Sequence, residues 1–152
     1  MYKRQAKHPI AHLSRAELVS LSNDIRLACM RISRRVRFES DRELPPHQFS
    51  VLCRLESTAR TNSELADIER VSAPSMKRTT NMLVERAYVS RADDPTDGRQ
   101  VILSLTPEGR KALKRIRRHR DEWMLSRFEQ LTDEERELLQ RAADVLAKVA
   151  SE

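Results

Sequence analysis

At 152 residues the chain is long enough to bury a core as one domain without disulfide or metal staples. Charged residues make up 34% and aromatics only 4%, so the apolar share is Leu, Val, Ile, Met and Ala, a mix that packs helix on helix. A net charge of +6 suits a polyanionic partner, while Cys29 and Cys53, with no CxxC spacing, exclude a disulfide scaffold and a zinc finger. No apolar run is long enough for a membrane span, and the expectation is a soluble, cytoplasmic protein.

Residues 1–13 are basic and unpatterned and read as a flexible arm. Ser14 and Glu17 in SRAE then form a capping box. Behind it Leu18, Leu21, Ile25, Ala28, Ile32 and Val36 recur at helical spacing to about residue 39, with Arg26, Arg31, Arg34, Arg35 and Arg37 on the other face. The segment 14–44 is read as an N-terminal helix and its exit. Pro45 and Pro46 start a second helix, HQFSVLCRLES, expected to bury Phe49, Leu52, Cys53 and Leu55. Thr61 and Glu64 cap the short helix SELADIE, and Ser72 with Pro74 in the first turn opens another, to about residue 86.

After that helix the hydrophobic period changes from helical to alternating. YVSRA and RQVILSL flank the turn-rich DDPTDG and predict a β-hairpin with a long tip. Thr106 and Pro107 then start a long helix toward Gln130, and Thr132 with Glu135 caps a last one, whose Leu138, Ala142, Val145, Leu146 and Val149 mark an apolar side. The chain has only two glycines. Gly98 sits at the hairpin tip, where positive φ favours glycine, and Gly109 in a first helical turn, where close approach of another backbone is the expected reason.

Two short helices, a polar-faced helix and a hairpin are the parts of a winged helix-turn-helix over residues 45–106. Such a motif must pack a helix by one face and offer the other to the major groove. In 72–86, Met76, Thr80 and Leu83 fall on one side, whereas Ser75, Lys77, Arg78 and Asn81 gather on the other. Arg can pair bidentately with guanine, Asn with adenine, and Lys or Ser can hold phosphate. The hairpin adds Asp97 and Arg99, an arginine suited to a narrow minor groove with a carboxylate placed to orient it. An ordinary amphipathic surface helix and a surface ion pair are the bland alternatives.

From about residue 15 to 150 the chain resembles the MarR-type bacterial transcriptional regulators, most sharply over SELADIERVSAPSMKRTTNMLVERAYVSRADDPTDGRQVILSLTPEGR. The family's wing signature falls on Asp97, Arg99, Leu105, Thr106 and Gly109. The resemblance implies a mostly α fold with a small β-hairpin wing, and a homodimer held through its N-terminal helix and the C-terminal helices of 107–152. It further implies a pseudo-palindromic double-stranded operator, DNA contacts at Ser75, Lys77, Arg78, Asn81, Asp97 and Arg99, and a small aromatic or phenolic effector bound between the dimer helices and the winged region. The chain departs from the family's pattern at Glu69 and Arg70, which stand where a Leu and a Gly are usual, at Ala87, where a glycine usually ends the recognition helix, and at Thr79 and Thr80, which fill usually aliphatic places.

Neither an enzyme nor a resident cofactor is expected, since no nucleophile–base pairing, glycine-rich phosphate loop or metal-ligand cluster stands out. His8 and His12 have Pro9 between them, Asp93 and Asp94 lie on an exposed tip, and Cys29 and Cys53 are expected in the core. The run RKALKRIRRHR, 110–120, reads either as phosphate-facing at its near end or as a solvated face, and the segment from Glu129 is net acidic. The stripe of the first helix, with Leu113, Ile116, Trp123, Phe128, Leu131 and Leu138 onward, is expected to supply the dimer interface. The competing reading is a helical protein-interaction module whose basic face binds an acidic protein partner; removing the Arg99 charge separates the two.

Overall fold

The structure, a computed structural model, describes residues 13–40, 43–95 and 100–151. Its elements run α1 (Arg15–Glu39), α2 (Pro46–Arg54), β1 (Arg60–Thr61), α3 (Asn62–Glu69), α4 (Ala73–Glu85), β2 (Val89–Asp93), β3 (Val101–Leu105), α5 (Pro107–Phe128) and α6 (Asp133–Ser151). The chain falls into two units, residues 1–35 and 36–152. In the first, the Ser14 amide donates to Glu17 Oε2 at 2.8 Å and the Glu17 amide returns to Ser14 Oγ at 3.3 Å, the expected capping box. No residue of α1 is buried, and Leu18, Ile25 and Ile32 of its stripe are all exposed.

The second unit holds the core. Val51, Leu52, Leu65, Met76, Leu83, Val89, Leu103, Leu105, Leu113 and Ile116 are buried together. Helices α3, α4 and α5 begin at a side-chain cap: the Thr61 hydroxyl accepts from the Glu64 amide at 3.2 Å, that of Ser72 from the Ser75 amide at 3.4 Å, and that of Thr106 from the Gly109 amide at 3.0 Å. Glu64 completes its box by accepting from the Thr61 amide at 2.7 Å. In α2 and just past its end Leu52 and Leu55 are buried as expected, while the burial expected of Phe49 and Cys53 is only partial and Gln48 and Val51 are buried as well. Of the two cysteines expected in the core, Cys29 is exposed on α1 and Cys53 is half-buried, packed against the core.

The sheet has three antiparallel strands in the order β1-β3-β2. Val89 pairs with Leu105 and Arg91 with Leu103, which turns alternate β3 residues Leu103 and Leu105 inward. The two-residue strand β1, which pairs Arg60 with Leu103 and Thr61 with Ile102, is too short to carry a periodic signal and was not expected.

Two corners hold this sheet to its helices. Both α3 and α4 end in a left-handed residue, Arg70 at φ 53° and Ala87 at φ 58°. At α3 the Val71 amide reaches Ala66 O at 3.0 Å and the Arg70 amide Asp67 O at 3.3 Å. At α4 the Tyr88 amide reaches Leu83 O at 2.9 Å and the Ala87 amide Val84 O at 2.8 Å. These are Schellman closures made without glycine. The other corner explains Gly109: a Cβ there would lie 2.2 Å from the Tyr88 carbonyl oxygen, which also accepts from the Thr106 amide at 3.1 Å. The tip residues Gly98 and the rest of 96–99 lie outside the described residues.

Candidate nucleic-acid interface

The amphipathic split of α4 decides what it can present. Met76, Thr80 and Leu83 are buried, while Ser75, Lys77 and Arg78 are exposed and Asn81 is half-buried. Thr80, in an aliphatic place, satisfies its hydroxyl by donating to Asn62 Oδ1 at 2.8 Å, which ties the recognition helix to the start of α3. The helix therefore keeps a firm seat while its outer face carries polar and basic groups. Asp97 and Arg99 lie outside the described residues.

Three sets of contacts that sequence reasoning missed lie at or behind this face. Arg91 on β2 donates through Nη2 to Asn81 Oδ1, joining the wing strand to the last turns of α4. The Asn81 oxygen has a second lone pair, which stays open to another donor while Arg91 is bound. The pair is invisible in sequence because it spans a helix end and a strand register. Lys77 lines a groove of about 620 Å3 with Thr61, Asn62, Ser63, Gln100 and Val101, so the start of α3 and the base of the wing meet one cation. Glu69, a departure from the family's pattern, accepts from Arg54 Nε and from Ser50 Oγ, both at 2.8 Å, and so bolts α2 to the end of α3. Burial works against the Glu69 carboxylate, but those two hydrogen bonds outweigh it and hold its pKa low.

A second web fixes the wing's root. Glu43 accepts from Tyr88 OH at 2.6 Å and from Arg115 Nε at 2.7 Å, while Arg86 Nη1 donates to the Glu43 carbonyl at 3.0 Å. The Arg115 hydrogen bond is the main reason the Glu43 carboxyl lies below its ordinary range, and the same carboxylate pushes the Tyr88 phenol up. The exit of α4, the start of β2 and the middle of α5 are thus held by one glutamate, the first through its carbonyl and the other two through its carboxylate.

The basic run 110–120 is largely spent inside the chain. Arg115 pairs with Glu43, Arg117 with Glu56 at 2.6 Å, Lys111 with Glu108 at 2.7 Å and Arg118 with Glu122 at 3.4 Å. Arg110 donates to the Glu56 carbonyl at 3.3 Å. Leu113 and Ile116, expected at a dimer interface, instead fill the core, because α5 packs against α2 by that face. Among the described residues no group of three or more His, Cys, Asp or Glu is placed to hold a metal, and no helix is long and apolar enough to cross a membrane. His8 and His12 lie outside the described residues.

Comparison with known proteins agrees with this architecture. The MarR family model matches residues 44–101. An uncharacterized HTH-type transcriptional regulator of Mycobacterium bovis is 39% identical over 134 residues, 87% of this chain and 94% of that protein. The YpoP regulator of Bacillus subtilis, also described as uncharacterized, is 31% identical over 62% of this chain and 68% of its own. Among solved structures, the YusO protein of Bacillus subtilis superposes with a TM-score of 0.71 at 25% identity, over 91% of this chain and 99% of that one. An S. aureus MepR mutant bound to an oligodeoxyribonucleotide has the same fold, with a TM-score of 0.66 at 20% identity over 86% and 96% of the two chains.

Proposed function

Since the chain belongs to the MarR family and is a winged helix-turn-helix, DNA-binding regulator of transcription, we propose that it works as a homodimer on a pseudo-palindromic operator. It represses by occluding a promoter, in the cytoplasm, and a small-molecule effector tunes its affinity. The observation that carries this reading is the face of α4: Met76, Thr80 and Leu83 are buried and Ser75, Lys77 and Arg78 face outward. Arg78 is assigned to a base edge, Ser75 and Lys77 to phosphate, Asn81 to a base, and Arg99, oriented by Asp97, to the minor groove. The MepR structure bound to an oligodeoxyribonucleotide supports DNA as the partner.

Dimerisation follows from energy and from surface. A single helix in one groove makes a few base contacts of roughly 1–3 kcal/mol each, too few to single out one site in a genome. Two copies double that. The apolar stripes available for pairing are the α1 stripe and, on α6, Leu138, Val145 and Val149, at 58%, 62% and 72% exposure. These helices bury no residue within the chain, and a partner copy supplies the missing cover. The protein-interaction reading needs a free basic face, and the run best suited to it is already paired to Glu43, Glu56, Glu108 and Glu122.

Hydroxyl-radical footprinting on DNA flanking its own gene tests the reading. Two protected patches about one helical turn apart, roughly 34–36 Å, are the expected result. A single short patch, or none, contradicts the dimeric operator.

A further inference from the structure

The orientation of one amide on the outer face of α4 is set from outside the helix. Asn81 lies one turn beyond Lys77 and Arg78 and so shares their face. It is half-buried, and β2 packs against the helix that carries it. Side chains alternate along a strand, so Arg91, two residues after the buried Val89, falls on the same face as Val89 and as its own cross-strand partner Leu103, which is 0% exposed. The strand therefore turns this arginine toward the helix, and its Nη2 donates to Asn81 Oδ1. The place of α4 does not depend on that contact: Met76 and Leu83 are buried, and the Thr80 hydroxyl donates to Asn62 Oδ1 at 2.8 Å.

An asparagine amide carries a donor and an acceptor on arms of nearly equal shape, and a half-turn about its last side-chain torsion exchanges them. A guanidinium only donates. The arm that meets Arg91 is therefore the oxygen, and the NH2 group takes the opposite arm. This polarity has a consequence in the major groove, where adenine offers N7 as acceptor and N6 as donor. An A·T pair matches the amide in one orientation, whereas the reversed amide sets donor against donor. The second lone pair of Oδ1 serves the adenine amine with Arg91 in place. We propose that Arg91 is a positioning residue for sequence readout: by holding Asn81 Oδ1 it fixes the polarity of the amide and makes Asn81 select an A·T pair in one orientation. Without Arg91 the amide turns to suit either order of donor and acceptor, and the selection is lost. The proposal rests on the assignment of Asn81 to a base made above.

The test uses the full chain, an operator duplex taken from the DNA flanking its own gene, and every single-base variant of one half-site, read by fluorescence anisotropy. Asn81→Ala is expected to lose the preference at one base pair and so to locate it. Arg91→Met, which keeps the apolar stem and is checked for folding by its melting temperature, is expected to reduce the preference at that same base pair by at least about fivefold, the lower end of what one bidentate pair contributes. In the Asn81→Ala background the same substitution is expected to change that preference no further. If Arg91→Met weakens every duplex by one factor and keeps the preference, or adds in full to Asn81→Ala, the proposal is overturned and Arg91 holds backbone phosphate instead. Without DNA, Arg91→Met is expected to move the Asn81 Nδ2 signals in a 15N spectrum, and unmoved signals overturn the contact. Asn81→Ala with every preference intact removes the premise that Asn81 meets a base, and the proposal with it. Absence of saturable binding by the native chain instead strikes the operator reading, and it registers before any variant is compared.

Discussion

Four residues carry most of the local constraint, and each can be tested alone. Gly109 has no room for a methyl group, since the Tyr88 carbonyl it would strike is fixed by the Thr106 amide. Gly109→Ala is expected to destabilise the fold by about 2–3 kcal/mol, read as a lowered Tm. Arg70 and Ala87 do the opposite: they hold left-handed conformations that cost an L side chain energy. Arg70→Gly and Ala87→Gly should each stabilise by about 0.5–1 kcal/mol, the strain relieved exceeding the added chain entropy; a fall in Tm counts against the strained corner. Glu43 links pH to stability. Its carboxyl pKa is lowered on folding, chiefly by Arg115, so its contribution is complete above the ordinary value of 4.5 and is lost as pH falls through the folded value. Glu43→Gln should therefore cost about 1 kcal/mol near neutrality after allowance for solvent screening, with the gap to the native chain closing below pH 4.5. A gap independent of pH removes the carboxylate from this role.

At the scale of elements, α4 packs by one face and leaves exposed the polar and basic one that the proposed function assigns to DNA. Lys77→Ala is expected to weaken binding equally for all sequences and to reduce the salt slope by about 1, while Arg78→Ala should cost about 1–3 kcal/mol and relax the preference at one base pair. Salt-dependent anisotropy on an operator and its single-base variants separates the two effects. Much of this element was legible beforehand. Capping boxes named the helix starts at Ser14, Thr61 and Thr132, a cap with a first-turn proline named those at Ser72 and Thr106, and helical spacing placed Met76, Thr80 and Leu83 inward. What escaped depends on residues distant in sequence. Strand β1 is two residues long and exists because β3 offers it a free edge; the Arg91–Asn81 and Glu69–Arg54 contacts arise only once the strand register and the α2–α3 packing are set. The inward face of α2 was read correctly at Leu52 and Leu55 but not at Phe49 and Cys53, which are only partly buried, and the full burial of Gln48, a polar residue, was missed.

At the scale of the whole molecule, the chain buries one core and leaves two helices with uncovered apolar stripes, which points to self-association. Leu113 and Ile116 show the limit of reading stripes from sequence, since periodicity marks an apolar face without saying whether its own chain or a partner covers it. Val145→Glu on α6 should leave the fold intact, the residue being 62% exposed, and shift a dimer to monomer in sedimentation velocity. A species of unchanged mass excludes that stripe from the interface. The central claim is that α4 reads a specific duplex, and its most direct measurement is a fluorescence-anisotropy titration against fragments of the DNA flanking its own gene, at about 50 and 200 mM salt, with Arg78→Ala and Arg99→Ala alongside. The account predicts saturable binding to a few fragments, survival in competitor DNA, a steep loss with salt and a marked loss in both variants. Weak binding, equal across all fragments and indifferent to both substitutions, would contradict it.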